Sequence, residues 1–160
     1  MVLSQPGCEV CLQGGIHPQF TGNTYIEICK AIKAACPSIH IHAFSPLEVH
    51  QGAQTLGLDL PTFLSQLKEA GLSSLPGTAA EILDDEVRSI LCADKINTAQ
   101  WFDVMRAAHA VGLRSTATIM FGQNLVPEDL KRMLEALDSC DLLLTIGTSL
   151  QVFPVASVIE

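Results

Sequence analysis

Two cysteines separated by two residues, Cys8 and Cys11, stand just before Gly14-Gly15 and His17 in the stretch SQPGCEVCLQGGIHP. Thiols at this spacing could be half of a metal or iron-sulfur site, or a redox pair, and a glycine pair could open backbone N-H groups to a ligand. Four of the five histidines, His17, His40, His42 and His50, lie in the same part of the chain, which raises a metal reading. His40 and His42, however, alternate on one face of a strand pattern with no cysteine or carboxylate at ligand spacing. Substrate contact or a satisfied core histidine is therefore expected ahead of metal. Of the acids, Asp84-Asp85-Glu86 would stabilise a helix start, whereas Glu81, just after the Pro76-Gly77-Thr78 turn, could bind a ribose or act as a base.

These residues need elements to hold them. EVCLQ (9–13) is a short apolar strand ended by Gly14-Gly15, read as a tight strand-to-helix turn. TYIEICKAIKAA then places Tyr25, Ile28, Cys29 and Ile32 at helical spacing, and SIHIHAFSP is a β-branched strand stopped by Pro46. PTFLSQLKEAG is an amphipathic helix, LSSLP a short strand, EILDDEVRSIL a helix, and NTAQWFDVMRAAHAVG a helix from an Asn97/Thr98 cap to Gly112. In this last helix Trp101, Phe102 and Met105 are expected in the core. LRSTATIMFG is the fourth strand, PEDLKRMLEALDSC a helix, DLLLTIG a buried fifth strand, and SLQVFPVASVIE starts another helix.

Such alternation is the signature of the α/β class, with a parallel sheet of about five strands covered by helices. Whether the sheet curls toward a barrel or stays open is not legible from periodicity. Ligands in these folds sit beyond the carboxyl ends of the strands, a position shared by Gly14-Gly15, Ser45, Pro76-Gly77-Thr78, Gly122 and Gly147-Thr148-Ser149. Ser45 and Thr78 thereby join His17, His40 and His42 as candidate substrate contacts.

The composition sets outer bounds. With 160 residues, 48% of them hydrophobic, and a mean hydropathy of +0.34, the chain can build a substantial core as one α/β domain over 1–160. A formal charge of -8, with nine scattered basic residues, argues against nucleic acid or an anionic membrane surface as partner, leaving small molecules. There is no apolar run long enough to span a bilayer and no export signal at the N-terminus, so a cytoplasmic protein with six reduced thiols is expected.

Three stretches closely resemble one family. EVCLQGGIHPQFTGNTYIEICKAIKAACPSIHIHAFSPLEVHQGAQTLGL, LSSLPGTAAEILDDEVRSILCADKINTAQW and LRSTATIMFG, from about residue 9 to 122, resemble the radical S-adenosylmethionine enzyme CofH. That family is the subunit of FO synthase that joins tyrosine-derived chemistry to a ribityl-uracil precursor of the deazaflavin chromophore. The resemblance implies a partial (β/α) barrel and S-adenosylmethionine as cofactor, with Gly14-Gly15 at its methionyl amino group. After Phe121-Gly122 the pattern changes, for the family continues with a His and a Glu where this chain reads Gln123-Asn124-Leu125-Val126.

From there FGQNLVPEDLKRMLEALDSCDLLLTIGTSLQVFPVASVIE resembles the Rossmann region of the sirtuins, NAD-dependent protein deacylases, with Val126 as an extra residue. This second resemblance implies a Rossmann-like helix-strand-helix. It would put Gly147, Thr148 and Ser149 against the adenosine side of NAD, although Ser and Thr in such a turn are also ordinary helix caps. The whole looks like a fusion at Phe121-Gly122.

The first resemblance also answers the question of the cysteines. The family holds an iron-sulfur cluster on three thiolates of a C-x-x-x-C-x-x-C loop, which lies upstream of the matching stretches. Here the local spacing is Ser4-x-x-x-Cys8-x-x-Cys11, two thiols and a hydroxyl, with Cys11 in a strand. Structural or incidental thiols are expected. A chain with neither the cluster cysteines nor the sirtuin zinc and catalytic parts is expected to be inactive by itself, with non-catalytic nucleotide binding or assembly as the alternative.

Overall fold

A computed structural model of the chain describes residues 9–118. Its elements in chain order are β1 (Glu9–Leu12), α1 (Gly22–Ala35), β2 (His40–Ala43), α2 (Pro46–Leu56), α3 (Leu60–Glu69), β3 (Ser74–Leu75), α4 (Asp85–Leu91), α5 (Thr98–Ala110) and β4 (Arg114–Ser115). The four strands form one parallel sheet in the order β1-β2-β3-β4. Every crossover thus moves the chain one place in the same direction. That is the winding of a (β/α) barrel, without the reversal that marks a doubly wound sheet.

Register and pleat sort the strand residues into two faces. Glu9 pairs with His40, Cys11 with His42, His42 with Ser74 and Ser74 with Arg114, so these six share one face. Ile41, Ala43 and Leu75, all fully buried, point the other way with Val10 and Leu12. There they meet Tyr25, Ile26 and Cys29 of α1, Val49 and Ala53 of α2, Phe63, Leu64 and Leu67 of α3, and Val104 and Ala108 of α5. A second cluster of Ala80, Ile96, Trp101 and Met105 packs under the segment after β3.

Local chemistry fixes the helix ends. Asp59 Oδ1 accepts the Thr62 N-H at 2.8 Å to cap α3, and Asn97 and Gln100 exchange side chain-to-backbone bonds at the start of α5. Helix α2 opens on Ser45, with Pro46 in its first turn, and closes on Gly57 at φ 63°.

The structure corrects several expectations. Pro46 does not merely stop a strand; it begins α2, because its missing N-H and fixed φ suit the first helical position. A helix that the sequence reading lacked, α2, lies with α3 between β2 and β3, whereas the two helices between β3 and β4 are α4 and α5 as expected. The helix expected over 81–91 starts only at Asp85, where Asp84 accepts N-H bonds from Glu86 and Val87. No tight turn forms at Gly14-Gly15: the chain runs through residues 13–21 before Thr21 caps α1. Phe102 is 38% exposed, its ring lying under the Arg106 guanidinium at 5.4 Å, while Trp101 and Met105 are buried as expected. The remainder of the fourth strand beyond residue 118, the fifth strand and the Rossmann-like segment lie outside the described residues.

Gly77 joins the ends of β3 and β4. Its N-H donates to Thr116 Oγ1 at 3.1 Å and its carbonyl accepts from the Thr118 N-H and hydroxyl at 3.1 and 2.9 Å. The chains approach so closely that a Cβ at Gly77 would lie 1.9 Å from the Thr116 carbonyl oxygen. The obstacle is backbone, so Gly77→Ala is expected to destabilise the fold by about 2–3 kcal/mol, measured by urea unfolding.

Candidate functional site

Backbone strain is concentrated beyond the carboxyl ends of the strands. Among the described residues the only non-glycine positions with positive φ are Phe44 (66°), immediately after β2, and Ala79 (57°) and Glu81 (50°), after β3. Each such position costs on the order of 1–3 kcal/mol and persists only where its surroundings over-determine it. Phe44 is held by burial against Tyr25, with ring centroids 4.9 Å apart, and by its N-H bond to the Leu12 carbonyl at 3.1 Å.

Beside it, Glu48 joins two loops. Its Oε2 accepts the Ser45 N-H at 2.8 Å and the Ser45 hydroxyl at 2.7 Å, and its Oε1 accepts the Gly14 N-H at 3.0 Å. The Ser45 hydroxyl oxygen also faces the Glu48 N-H at 3.3 Å. This capping box of α2 reaches outside its own helix and ties the Gly14-Gly15 segment after β1 to the turn after β2. Ser45, read from sequence as a substrate contact, has its hydroxyl committed to this cap. Gly15 is left-handed at φ 66° and exposed, with nothing within 4 Å of the place a Cβ would take.

The segment after β3 is held by Arg88. Its guanidinium, 3% exposed, donates to the carbonyls of Ala79, Ala80, Ile82 and Ile96. A fork of fixed geometry thereby grips the carbonyls around both left-handed residues, Ala79 and Glu81. The Glu81 carboxylate pairs with Lys95, and Trp101 Nε1-H donates to the Thr78 carbonyl at 3.0 Å. Thr78 Oγ1 is buried with no hydrogen-bond partner among the described residues. A buried hydroxyl without a partner marks a place where a ligand could complete the bonding.

The polar face of the sheet carries a third group. His40 Nε2 and His42 Nδ1 both lie 2.7 Å from Ser74 Oγ, and Glu9 Oε2 is 3.8 Å from His40 Nε2. One imidazole can accept the Ser74 proton while the other donates to its oxygen. Burial holds the His42 imidazole below its usual range, with Glu9 opposing that effect and His40 adding to it.

His17 lies apart from these three groups: it is exposed, its Nδ1 accepts the Gln19 N-H at 3.2 Å, and its ring leans on Phe20. Gly147, Thr148 and Ser149 lie outside the described residues. Sequence reasoning passed over Glu48, Ser74, Arg88 and Lys95. For Glu48 a signal was present, the Ser45-Pro46-Leu47-Glu48 run with the spacing of a capping box. Ser74 could have been reached from His40 and His42 by register, but nothing in the local sequence marks Arg88 as buried.

A strained carboxyl edge on a singly wound parallel sheet, with a polar inner face, is the site architecture of a barrel-type α/β enzyme. The chain belongs to the radical SAM superfamily, whose family model matches residues 2–137. It is 54% identical over 114 residues to an FO synthase of Streptomyces avermitilis, covering 71% of this chain and 13% of that protein. It is 49% identical over 136 residues to the "5-amino-6-(D-ribitylamino)uracil--L-tyrosine 4-hydroxyphenyl transferase" of Nostoc sp., covering 82% of this chain and 35% of the relative. The corresponding transferase 1 of Methanosarcina barkeri is also 49% identical, over 121 residues. The chain therefore spans between about an eighth and about a third of the length of these relatives.

The superfamily implies S-adenosylmethionine and an iron-sulfur cluster, and the described residues fit the two differently. An open Gly14-Gly15 segment, a buried unpartnered Thr78 hydroxyl and the Glu81 carboxylate fit a polar cofactor. For a cluster the thiols do not fit: Cys11 is exposed on β1, Cys29 and Cys92 are buried in separate places, and Cys36 ends α1. Among the described residues no three His, Cys, Asp or Glu side chains converge as metal ligands. Burial pushes the Cys29 thiol up to about 11, against the smaller opposing effect of Lys33, which makes it a poor thiolate. Among the described residues, no helix is long and apolar enough to cross a membrane.

Two outcomes follow from these contacts. Arg88→Lys keeps the charge but not the fork, and it is expected to cost about 1–3 kcal/mol and to speed amide exchange over residues 79–83. Unchanged exchange there would show that Arg88 does not hold the segment. For His42 the folded-state pKa lies below the unfolded value, so protons bind preferentially to the unfolded chain. Stability should therefore fall as pH drops below about 6.5 and level off below the folded pKa. His42→Gln should flatten that part of the urea-unfolding profile.

Proposed function

We propose that this chain is part of a radical S-adenosylmethionine transferase of the FO synthase type, acting on tyrosine and 5-amino-6-(D-ribitylamino)uracil. The observation that carries the proposal is 49–54% identity, over 71–82% of the chain, to relatives bearing those names. S-adenosylmethionine, when bound to a reduced cluster, supplies radical chemistry through its reductive cleavage. In this reading Gly14-Gly15 receives its methionyl end and Glu81 its ribose, while Thr78, His40 and His42 face the substrates. Ser74, with its oxygen 2.7 Å from both imidazoles, would let that wall donate to or accept from a phenol or a uracil carbonyl.

The cluster is not supplied by these 160 residues. Their six cysteines contain no C-x-x-x-C-x-x-C run, so the chain by itself should not cleave the cofactor. Anaerobic incubation with iron and sulfide is expected to give no stoichiometric four-iron cluster, and calorimetry to show about millimolar or weaker binding of S-adenosylmethionine. A full cluster that cleaves the cofactor would overturn the inactivity. Micromolar NAD binding would instead favour the sirtuin-like stretch from residue 121 as the working site.

A further inference from the structure

One serine hydroxyl stands between two imidazoles. Ser74 Oγ lies 2.7 Å from His40 Nε2 and 2.7 Å from His42 Nδ1, and Ser74 is 8% exposed. A hydroxyl has a single proton, so it can donate to only one ring nitrogen at a time, and the other nitrogen must carry the N-H that Ser74 accepts. Two arrangements satisfy both bonds. In the first, His42 Nδ1-H donates to Ser74 and Ser74 donates to His40 Nε2; in the second, both bonds are reversed. The protonation of one ring is therefore tied to that of the other through Ser74.

The ends of this chain of bonds differ. His40 stands at the start of β2 with Glu9 Oε2 3.8 Å from its Nε2, and the two side chains are 43% and 52% exposed. A positive charge on His40 is thus met by a carboxylate and by solvent. His42 lies two residues nearer the carboxyl edge, its charged form is disfavoured by burial, and its Nε2 bonds to no described residue. On the same face Cys11 is paired with His42 from β1, and Arg114 with Ser74 from β4. A cation at Arg114 and an anion at Glu9, on opposite sides of the imidazoles, both favour moving positive charge toward His40.

We infer that His42, Ser74 and His40 form a proton relay along the inner wall, with His42 Nε2 as the general base that takes a proton from a substrate as it reacts and His40, beside Glu9, as the end that holds the charge. The relay needs the first arrangement before the step. The O-H or N-H bond of the substrate breaks, its electron pair stays on the substrate, and its proton joins His42 Nε2; the Nδ1 proton of His42 passes to Ser74 Oγ, and the Ser74 proton passes to His40 Nε2. Both bonds to Ser74 survive with their direction reversed, and an imidazolium is left next to Glu9. That the substrate proton is the phenolic one of tyrosine rests on the proposed function; the coupling of the two rings rests on the geometry alone.

Nitrogen NMR of the full chain, with its histidine rings isotopically labelled and followed from about pH 8 to about pH 5, reads both tautomers. Protonation of His40 makes its Nε2 a donor to Ser74, so Ser74 must turn to His42 Nδ1. His42 is expected to change from the Nδ1-H to the Nε2-H tautomer with the midpoint of the His40 titration. In Ser74→Ala that change should be lost while His40 still titrates, and Ser74→Thr, which keeps the hydroxyl, should restore it. A His42 ring that keeps one tautomer through the His40 titration in wild type would overturn the relay, and this measurement stands even if Ser74→Ala does not fold. An unaltered tautomer change in Ser74→Ala would overturn it as well, since the coupling would not pass through the hydroxyl. Added tyrosine should move the His42 Nε2 resonance more than either nitrogen of His40. If the tautomer change is seen and tyrosine moves neither ring, the tyrosine assignment taken from the transferase reading fails while the relay stands.

Discussion

The site depends on buried charges satisfied mainly by backbone groups, with Asp85 Oδ1, 4.0 Å from Arg88 Nε, as the one opposite charge beside them among the described residues. Glu48 binds N-H groups from two different loops, and Arg88 binds carbonyls contributed by four residues. A fork or a carboxylate used in this way fixes where main-chain dipoles point, which an ion pair between two side chains does not. Both residues act just beyond the sheet, one after β1 and β2 and the other after β3, so the short strands need not set the geometry of these loops alone. β3 and β4 have only two residues each, and the long segments that follow them would otherwise have little to hold them.

That division explains where strain is tolerated. Phe44, Ala79 and Glu81 adopt backbone conformations that L-residues avoid, and each lies within reach of a packing or hydrogen-bonding restraint: Tyr25 for Phe44, the Arg88 guanidinium for the other two. The helical face of the sheet shows no such departures among its strand residues. Cohesion comes from the apolar layer around Ile41, Phe63 and Leu67, and it leaves the opposite face to hold Glu9, His40, His42 and Ser74 in a polar arrangement.

Much of this was legible in the sequence because patterning reports burial. The helical spacing of Tyr25, Ile28, Cys29 and Ile32 and the Asn97 cap located α1 and α5, and the alternation of His40 and His42 placed both on one face. The α/β class and the parallel sheet followed from the order of such patterns. Helix α2 was missed because its core positions, Val49, Gly52 and Ala53, are few and small, and Pro46 reads equally well as a strand end or a helix start. Phe102 was misplaced because helical spacing does not say which face is buried at the edge of a small cluster. Arg88 was out of reach for another reason: its partners, the carbonyls of Ala79, Ala80, Ile82 and Ile96, are backbone atoms that no side-chain pattern marks.

The strand order has a consequence for how the chain acquires its structure. Among the described residues each strand pairs only with its immediate predecessor and successor, and the paired residues Glu9 and His40, His42 and Ser74, and Ser74 and Arg114 are separated by similar lengths of chain. The entropy of loop closure rises only slowly with length, so the three closures are of nearly equal difficulty and none has to wait for a distant partner. Such a chain can assemble by accretion, one crossover at a time, as it emerges from a ribosome. The polar face would then be built up residue by residue, with Glu9 meeting His40 before Ser74 arrives between the two imidazoles.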